Sequence, residues 1–323
     1  MTPFPEEPFP SHPRIVFMGT PEFAVPALKA LIRQGHHVLA VVTQPDRPKG
    51  RGKKLTAPPV KQLALEHGIE VLQPEKASDD TFCGRIREKN PDLIVVVAFG
   101  QILRKKLLDI PKWGVINVHG SLLPTLRGAA PVQWTILNDE AKTGLTVMHM
   151  DEGMDTGPIL FQEEIPVLKD ETAGHLYDRL AKMAGDFLAR SLERLSGNRV
   201  SETPQDHAKA TYAPKITKDL CLVDWKETAP KVSARIRGMD PRPGAYTLWE
   251  GQEIKLFAST VIDKTWEEGL PGKILGLREE GLVVGTGRGT VGIRELQYPG
   301  RNRLPVKEFL RGHPMPEGAV LGQ

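Results

Sequence analysis

An α/β architecture is what this sequence predicts, with a doubly wound, mostly parallel sheet followed by a smaller, mainly β domain. Three observations predict it. Short apolar runs alternate with helically spaced ones as far as Leu195. The run Leu93-Ile94-Val95-Val96-Val97-Ala98 is apolar throughout, as a central strand covered on both faces requires. Beyond residue 217 the texture changes to short strand-like runs with turn residues between them. The 323 residues suffice for two domains. The expected boundaries are a short disordered extension over 1–13, a first domain over 14–198, a linker over 199–217 and a second domain over 218–323.

Each element follows from a local pattern. Arg14-Ile15-Val16-Phe17-Met18 opens as a buried strand, and Gly19-Thr20-Pro21 ends it. Phe23, Ala27, Leu28, Leu31 and Ile32 then recur at helical spacing up to the stop at Gly35. The patterns predict a strand from Val38 to Val42 and a helix from Val60 to His67. A strand from Ile69 to Leu72 and a helix from Asp79 to Lys89 precede the central run. After it come a strand ending at Asn117, a helix opening near Pro131, and strands from Leu145 to Met150 and Ile159 to Ile165. Leu176, Leu180, Met183, Phe187, Ser191 and Leu195 share one face of a closing helix. Gly, Asn, Ser, Pro, Gln and Asp from Gly197 to Thr217 mark the linker. The second domain is predicted to hold strands near Gly244, Ile254, Gly272, Gly281 and Thr290, and helices near Ala229 and Val306, a composition that suits a small barrel.

Composition narrows the class. Hydrophobic content of 40% and charged content of 26% suit a soluble globular protein, and no apolar run approaches the ~18–20 residues of a membrane span. Residues 1–13 are proline-rich and acidic, without the build of a secretory or organellar leader. Cys83 and Cys221 lie far apart with no C-x-x-C spacing, so reduced thiols and a cytoplasmic location are expected. A net charge of +3 is too small to imply nucleic acid by itself. The first βα turn lacks G-x-G-x-x-G, which counts against a nicotinamide enzyme.

The chemistry concentrates in Asn117-Val118-His119-Gly120 and the distant Met154-Asp155-Thr156-Gly157. Strand geometry turns Asn117 and His119 to the same side. An acyl-type transfer to an amine passes through a tetrahedral centre whose oxygen becomes negative. A fixed Asn amide or a protonated His could stabilise that oxygen. A His or carboxylate could shuttle the amine's proton. A lone His or Asp is more often a core or turn residue, but three such types beside glycines at strand ends favour a reaction centre. His149 and Asp151, near the same loop, are read as structural. No metal-ligand cluster is expected.

Two loops remain. Ser121-Leu122-Leu123-Pro124 followed by Arg127-Gly128 could wrap a flat ring system with backbone groups and Leu side chains. The segment between Thr43 and Pro59 holds Arg47, Lys49, Arg51, Lys53 and Lys54 with no acid among them, and reads as a long, mobile basic loop for an anionic partner. In the second domain Arg288, Arg294, Arg301 and Arg303 could form a weak phosphate-tracking stripe.

Taken together these motifs resemble the methionyl-tRNA formyltransferases, from Arg14 to the C-terminal Leu321-Gly322. The resemblance is carried by Phe17-Met18-Gly19-Thr20-Pro21-Glu22-Phe23-Ala24, the basic loop from Gln44 to Lys54, Asn117 to Pro124, Met154 to Gly157, Tyr212-Ala213-Pro214-Lys215-Ile216 and Pro243-Gly244-Ala245. It implies N10-formyltetrahydrofolate as the donor co-substrate without metal, initiator methionyl-tRNA as the acceptor, a Rossmann-like first domain, an OB-like second one and a monomer. By matching position it implies Asn117, His119 and Asp155 as catalytic and Ser121, Leu122, Leu123 and Pro124 as the folate pocket. It likewise implies tRNA contacts from Arg47, Lys49, Arg51, Lys53 and Lys54, led by Arg51. Two departures stand out. Thr125-Leu126 occupies the place of a basic residue then an aromatic, and Arg242 that of a Trp.

Overall fold

The computed structural model describes residues 7–49, 54–196, 201–267 and 269–322. Packing divides the chain into two units. One comprises residues 1–129, 144–165 and 177–213, and the other residues 130–143, 166–176 and 214–323. Residues of the expected linker up to Ala213 therefore pack with the first unit, and Ala130–Thr143 with the second.

In chain order the elements are β1 (Arg14–Gly19), α1 (Val25–Arg33), β2 (His37–Val42), β3 (Arg47–Lys49), β4 (Lys54–Thr56) and α2 (Pro59–Glu66). Next come β5 (Val71–Leu72), α3 (Asp80–Glu88), β6 (Leu93–Val97), α4 (Lys105–Leu108) and β7 (Val115–His119). Then follow α5 (Pro131–Leu137), β8 (Lys142–His149), β9 (Ile159–Pro166) and α6 (Ala173–Leu195). Helix starts follow local chemistry. Pro26, Pro59 and Pro131 sit in first turns, where a missing N–H costs nothing. Asp79 caps α3 by accepting from the backbone N–H groups of Thr81 and Phe82.

The first sheet runs β5-β2-β1-β6-β7-β8-β9. Its pairs from β5 to β7 are parallel, and β8 joins β7 antiparallel. The chain builds leftward from β1 to β5 and then crosses to β6. The strand order therefore reverses between β1 and β6, where open α/β sheets form a ligand crevice at the strands' carboxyl ends. The strands β1, β6 and β7 are buried along almost their whole length, and Val16, Met18, Ile94, Val96, Phe82 and Ile86 share one core.

Three expectations are corrected. The strand expected to end at Asn117 continues to His119, because β8 supplies backbone partners and pairs Thr146 with His119. The segment read as a loop carries a hairpin in which Arg47 faces Thr56 and Lys49 faces Lys54. The extension over 1–13 is ordered in its described part. Phe9 is buried at 3% exposure, edge-on to Trp113 at 5.2 Å, and residue 9 bridges Ser196.

The second unit adds α7 (Ala229–Met239), β10 (Ala245–Trp249), β11 (Gln252–Asp263), β12 (Ile274–Arg278), β13 (Gly281–Gly285), β14 (Thr290–Gln297), β15 (Arg303–Pro305) and α8 (Val306–Gly312). Its antiparallel sheet runs β10-β11-β14-β13-β12, with β15 on β14. Among the described residues no pairing of β10 with β12 closes a ring, so the barrel expectation is met as far as a six-stranded antiparallel sheet. Trp225, Ile236, Leu256, Val284, Ile293 and Phe309 anchor its core. The expected arginine stripe is thinned, because Arg303 is held by Asp240 and Glu295 and Arg288 pairs with Glu267.

Candidate active site

The site stands on the carboxyl end of β7. Asn117 and His119 lie on one side of the strand, with the buried Val118 on the other. Asn117 is 9% exposed and forms no side-chain hydrogen bond among the described residues, yet its amide is not sealed from solvent. Leaving an amide nearly buried and unpaired costs about 1–3 kcal/mol. A ligand oxygen would recover that cost.

His119 is fixed by its far nitrogen. Its Nε2 lies 2.9 Å from the Leu126 carbonyl oxygen, which can only accept, so Nε2 carries the proton. Nδ1 then carries no proton in the neutral ring, and it sits 3.7 Å from Asp155 Oδ2. That gap exceeds a direct hydrogen bond and leaves room for the ring to change partner.

Asp155 reaches this place from the turn after β8. Its φ of +53° is left-handed, a conformation Asp tolerates better than most side chains. Its Oδ2 accepts from the Gly128 N–H at 2.8 Å. Gly128 itself has φ +118°, and a Cβ there would meet the Ala213 carbonyl oxygen at 2.9 Å. Asp151 closes the same turn by accepting from Gly153 N–H at 3.0 Å and Thr156 Oγ1 at 2.7 Å. A Cβ on Gly157 would meet the His149 carbonyl oxygen at 1.9 Å, so only glycine lets the turn return against β8. His149 pairs through Nδ1 with Glu202 at 3.0 Å, and its register partner is Ile116, toward the other end of β7. The structural readings of His149 and Asp151 thus have a geometric basis.

The loop from Ser121 to Pro124 is rigid rather than open. Ser121 Oγ donates to the Thr125 carbonyl at 2.6 Å, and Thr146 Oγ1 donates to the Ser121 carbonyl at 2.7 Å. Gln162 Nε2 donates to the Leu123 carbonyl at 2.8 Å. Ser121 and Leu123 are buried, which leaves the half-buried Leu122 and Pro124 as the accessible surface of the four. The departures at Thr125 and Leu126 act through their carbonyls, on Ser121 and His119, so those two bonds do not depend on side-chain identity. Arg242 is exposed.

The basic hairpin is rooted at the β1–β6 crevice. Thr20 Oγ1 donates to the Phe99 carbonyl at 2.9 Å, and Gln44 Nε2 donates to the same carbonyl at 3.3 Å. Asp46 is gripped by Lys61 Nζ and Gln73 Nε2 at 2.8 Å each. Those hydrogen bonds, Gln73's first and then Lys61's, hold its carboxyl below the usual range. Arg47 is exposed. Arg51 and Lys53 lie outside the described residues. Lys49 and Lys54 are placed by the backbone only, as the innermost pair of the hairpin. The tRNA-contact expectations for these five residues accordingly rest on the loop's charge and its rooting.

Sequence reasoning missed the residues that hold the site: Thr146, Gln162, Gln205 and Thr211. All are uncharged, and the last two fall in the segment read as linker. Among the described residues no three His, Cys, Asp or Glu side chains are grouped to hold a metal ion, and no helix is long and apolar enough to cross a membrane.

Comparison with known proteins agrees with this arrangement. Residues 13–192 match the formyl transferase family and residues 215–314 the formyl transferase C-terminal domain. A protein of Geobacter sulfurreducens named methionyl-tRNA formyltransferase is 50% identical over 96% of this chain and 97% of its own. Its namesake in Acetivibrio thermocellus is 47% identical over 96% and 100%. HypX from Aquifex aeolicus, solved with tetrahydrofolic acid, shares the fold at a TM-score of 0.63 and 21% identity, over 97% of this chain and 51% of that one. With its two matched domains and these near full-length relatives, the chain belongs to the formyl transferase family.

Proposed function

We propose that this chain transfers the formyl group of N10-formyltetrahydrofolate to the amino group of methionyl-initiator tRNA, giving N-formylmethionyl-tRNA for translation initiation. The observation that carries the chemistry is the carboxyl end of β7. There an unpaired Asn117 amide and the free Nδ1 of His119 share one side, with Asp155 Oδ2 3.7 Å from that nitrogen. Relatives of nearly equal length that bear the name methionyl-tRNA formyltransferase support the acceptor.

The site fits a flat folate-like donor. Leu122 and Pro124 offer half-buried apolar surface. The β6–β7 register sets Val96 opposite Asn117, and β6 ends one residue later, ahead of the exposed Ala98. The basic hairpin rises from the same sheet edge, where Arg47, Lys49, Arg51, Lys53 and Lys54 would hold the tRNA's phosphates.

In the reaction the methionyl nitrogen attacks the formyl carbon and loses a proton, while the bond to the folate nitrogen breaks and that nitrogen gains one. Asn117 donates its amide hydrogens to the oxygen that becomes negative, a role worth roughly 3–4 kcal/mol per donor. His119 Nδ1 and the Asp155 carboxylate both stand ready to take the amine's proton, and when His119 takes it the carboxylate stabilises the imidazolium that forms. Leu126 keeps the ring in the tautomer that leaves Nδ1 free. The chain acts in the cytoplasm as a monomer on this reading.

Purified protein with labelled formylfolate and charged initiator, charged elongator or no tRNA tests the reading. Label on the initiator is expected. Label passing instead to glycinamide ribonucleotide or a free amino sugar, or tRNA binding without transfer, would reject it.

A further inference from the structure

Arg127 and Gln205 form a buried assembly behind Asp155. Arg127 is 2% exposed and makes no ion pair among the described residues. Its Nε and Nη2 donate to Gln205 Oε1 at 3.1 and 2.7 Å, and Nη2 also meets His207 Nδ1 at 3.2 Å. Gln205 is 6% exposed, and its Nε2 donates to the carbonyls of Asp155 at 2.9 Å and Gly157 at 2.7 Å. Both amide hydrogens and the amide oxygen of Gln205 are thereby fully used.

The same segment holds the other side of the site. Thr211 Oγ1 accepts from the Leu126 N–H at 2.9 Å, and the Thr211 carbonyl accepts from the Arg127 N–H at 2.9 Å. Leu126 and Asp155 are both non-glycine residues with left-handed backbones, at φ +61° and +53°. One carries the carbonyl that fixes His119, and the other the carboxylate that faces it. Burying a guanidinium costs several kcal/mol unless its donors are used, so a mere strut would be cheaper built from apolar groups.

We infer that Gln205, oriented by Arg127, is a positioning residue for formyl transfer, holding the turn that sets Asp155 at its working distance from His119. The inference rests on the reading of Asp155 as catalytic.

Gln205→Glu separates positioning from folding. The new carboxylate keeps the contact with Arg127 as an ion pair. It also places an oxygen where Nε2 faced the carbonyls of Asp155 and Gly157, so the turn loses its donor. Under saturating initiator tRNA and formylfolate the single-turnover rate should fall about 100-fold, the effect of a misplacement near 1 Å. Both KM values should stay at wild-type levels, while the melting temperature falls by a few degrees for the two hydrogen bonds lost. Gln205→Met combined with Arg127→Met removes the buried charge and amide together, and keeps the test open should the first variant not fold. The same fall in rate is expected from this folded double variant. Arg127→Lys should recover part of the rate lost in Arg127→Met.

A folded Gln205→Glu or double variant with wild-type rate, or one impaired only through KM, would overturn the inference. Asp155→Asn distinguishes the two failures. If it is slow while Gln205→Glu is normal, the positioning role alone falls; if Asp155→Asn is itself normal, the catalytic reading falls.

Discussion

Replacing Asp155 with Asn removes one charge and little else. Asn tolerates the left-handed backbone that residue 155 occupies at φ +53°. Its amide oxygen can still accept from the Gly128 N–H that Asp155 now engages at 2.8 Å. What disappears is the negative charge 3.7 Å from His119 Nδ1. At that separation, with an effective dielectric of about 20, a charge interacts with a protonated imidazole by about 4 kcal/mol, or some three decades in rate. Asp155 is 16% exposed at its side chain, so water screens part of this, and a fall of about 10²–10³ in kcat is expected. Stability should drop by only about 1 kcal/mol, the difference between a charged and a neutral acceptor for one hydrogen bond. Asp155→Ala loses that acceptor and the left-handed tolerance as well, so it should be equally slow but less stable by a further ~1–2 kcal/mol. The measurement is single-turnover formyl transfer to charged initiator tRNA, paired with urea unfolding of the same preparations. A near-wild-type rate for Asp155→Asn would refute the assignment of that carboxylate to the reaction.

Asn117→Ala should lower kcat by about 10²–10³, and unfolding by urea should show little lost stability, since no protein partner is broken. A large stability loss would mean that the amide has a structural role. Arg51→Ala should raise KM for initiator tRNA and flatten the salt dependence of log KM by roughly one phosphate contact. An unchanged slope in a salt titration would remove that residue from tRNA binding. Phe9→Ala should destabilise the chain by about 3–5 kcal/mol, the usual loss for an aromatic as buried as this one. A denaturation midpoint equal to wild type would show that the N-terminal segment contributes nothing to folding.

How much was legible depended on where each signal was stored. Strands β1, β6 and β7 could be read because their burial is complete, and complete burial writes uniform apolar runs. The end of β7 could not, since its last two residues pair with β8, and pairing partners at sequence distance leave no local mark. The hairpin over 47–56 was hidden by its charge, because Arg47 and the lysines signal solvent rather than pairing. Phe9 sat among prolines that made the segment look unstructured. Asn117, His119 and Asp155 were legible as residue types beside glycines. The assignment of Nε2 to Leu126, which leaves Nδ1 facing Asp155, came from a backbone carbonyl that any residue at 126 would supply.

The least legible part is also the one that makes the site precise. Two left-handed residues, Leu126 and Asp155, are poor local choices, and such conformations persist only where the surroundings over-determine them. Here the surroundings are a segment, 203–213, whose composition reads as a linker and whose Gln205 and Thr211 bond the two loops from behind. Strain of this kind fixes a carboxylate and an imidazole at 3.7 Å without letting them lock into a direct bond. A closer pair would press the carboxylate against an Nδ1 that carries no proton, two acceptors facing each other. A looser one would give up the attraction that stabilises a charged ring. The distance is therefore one that neither loop could hold alone, which is why the polar residues of an apparent connector matter to the geometry of this pair.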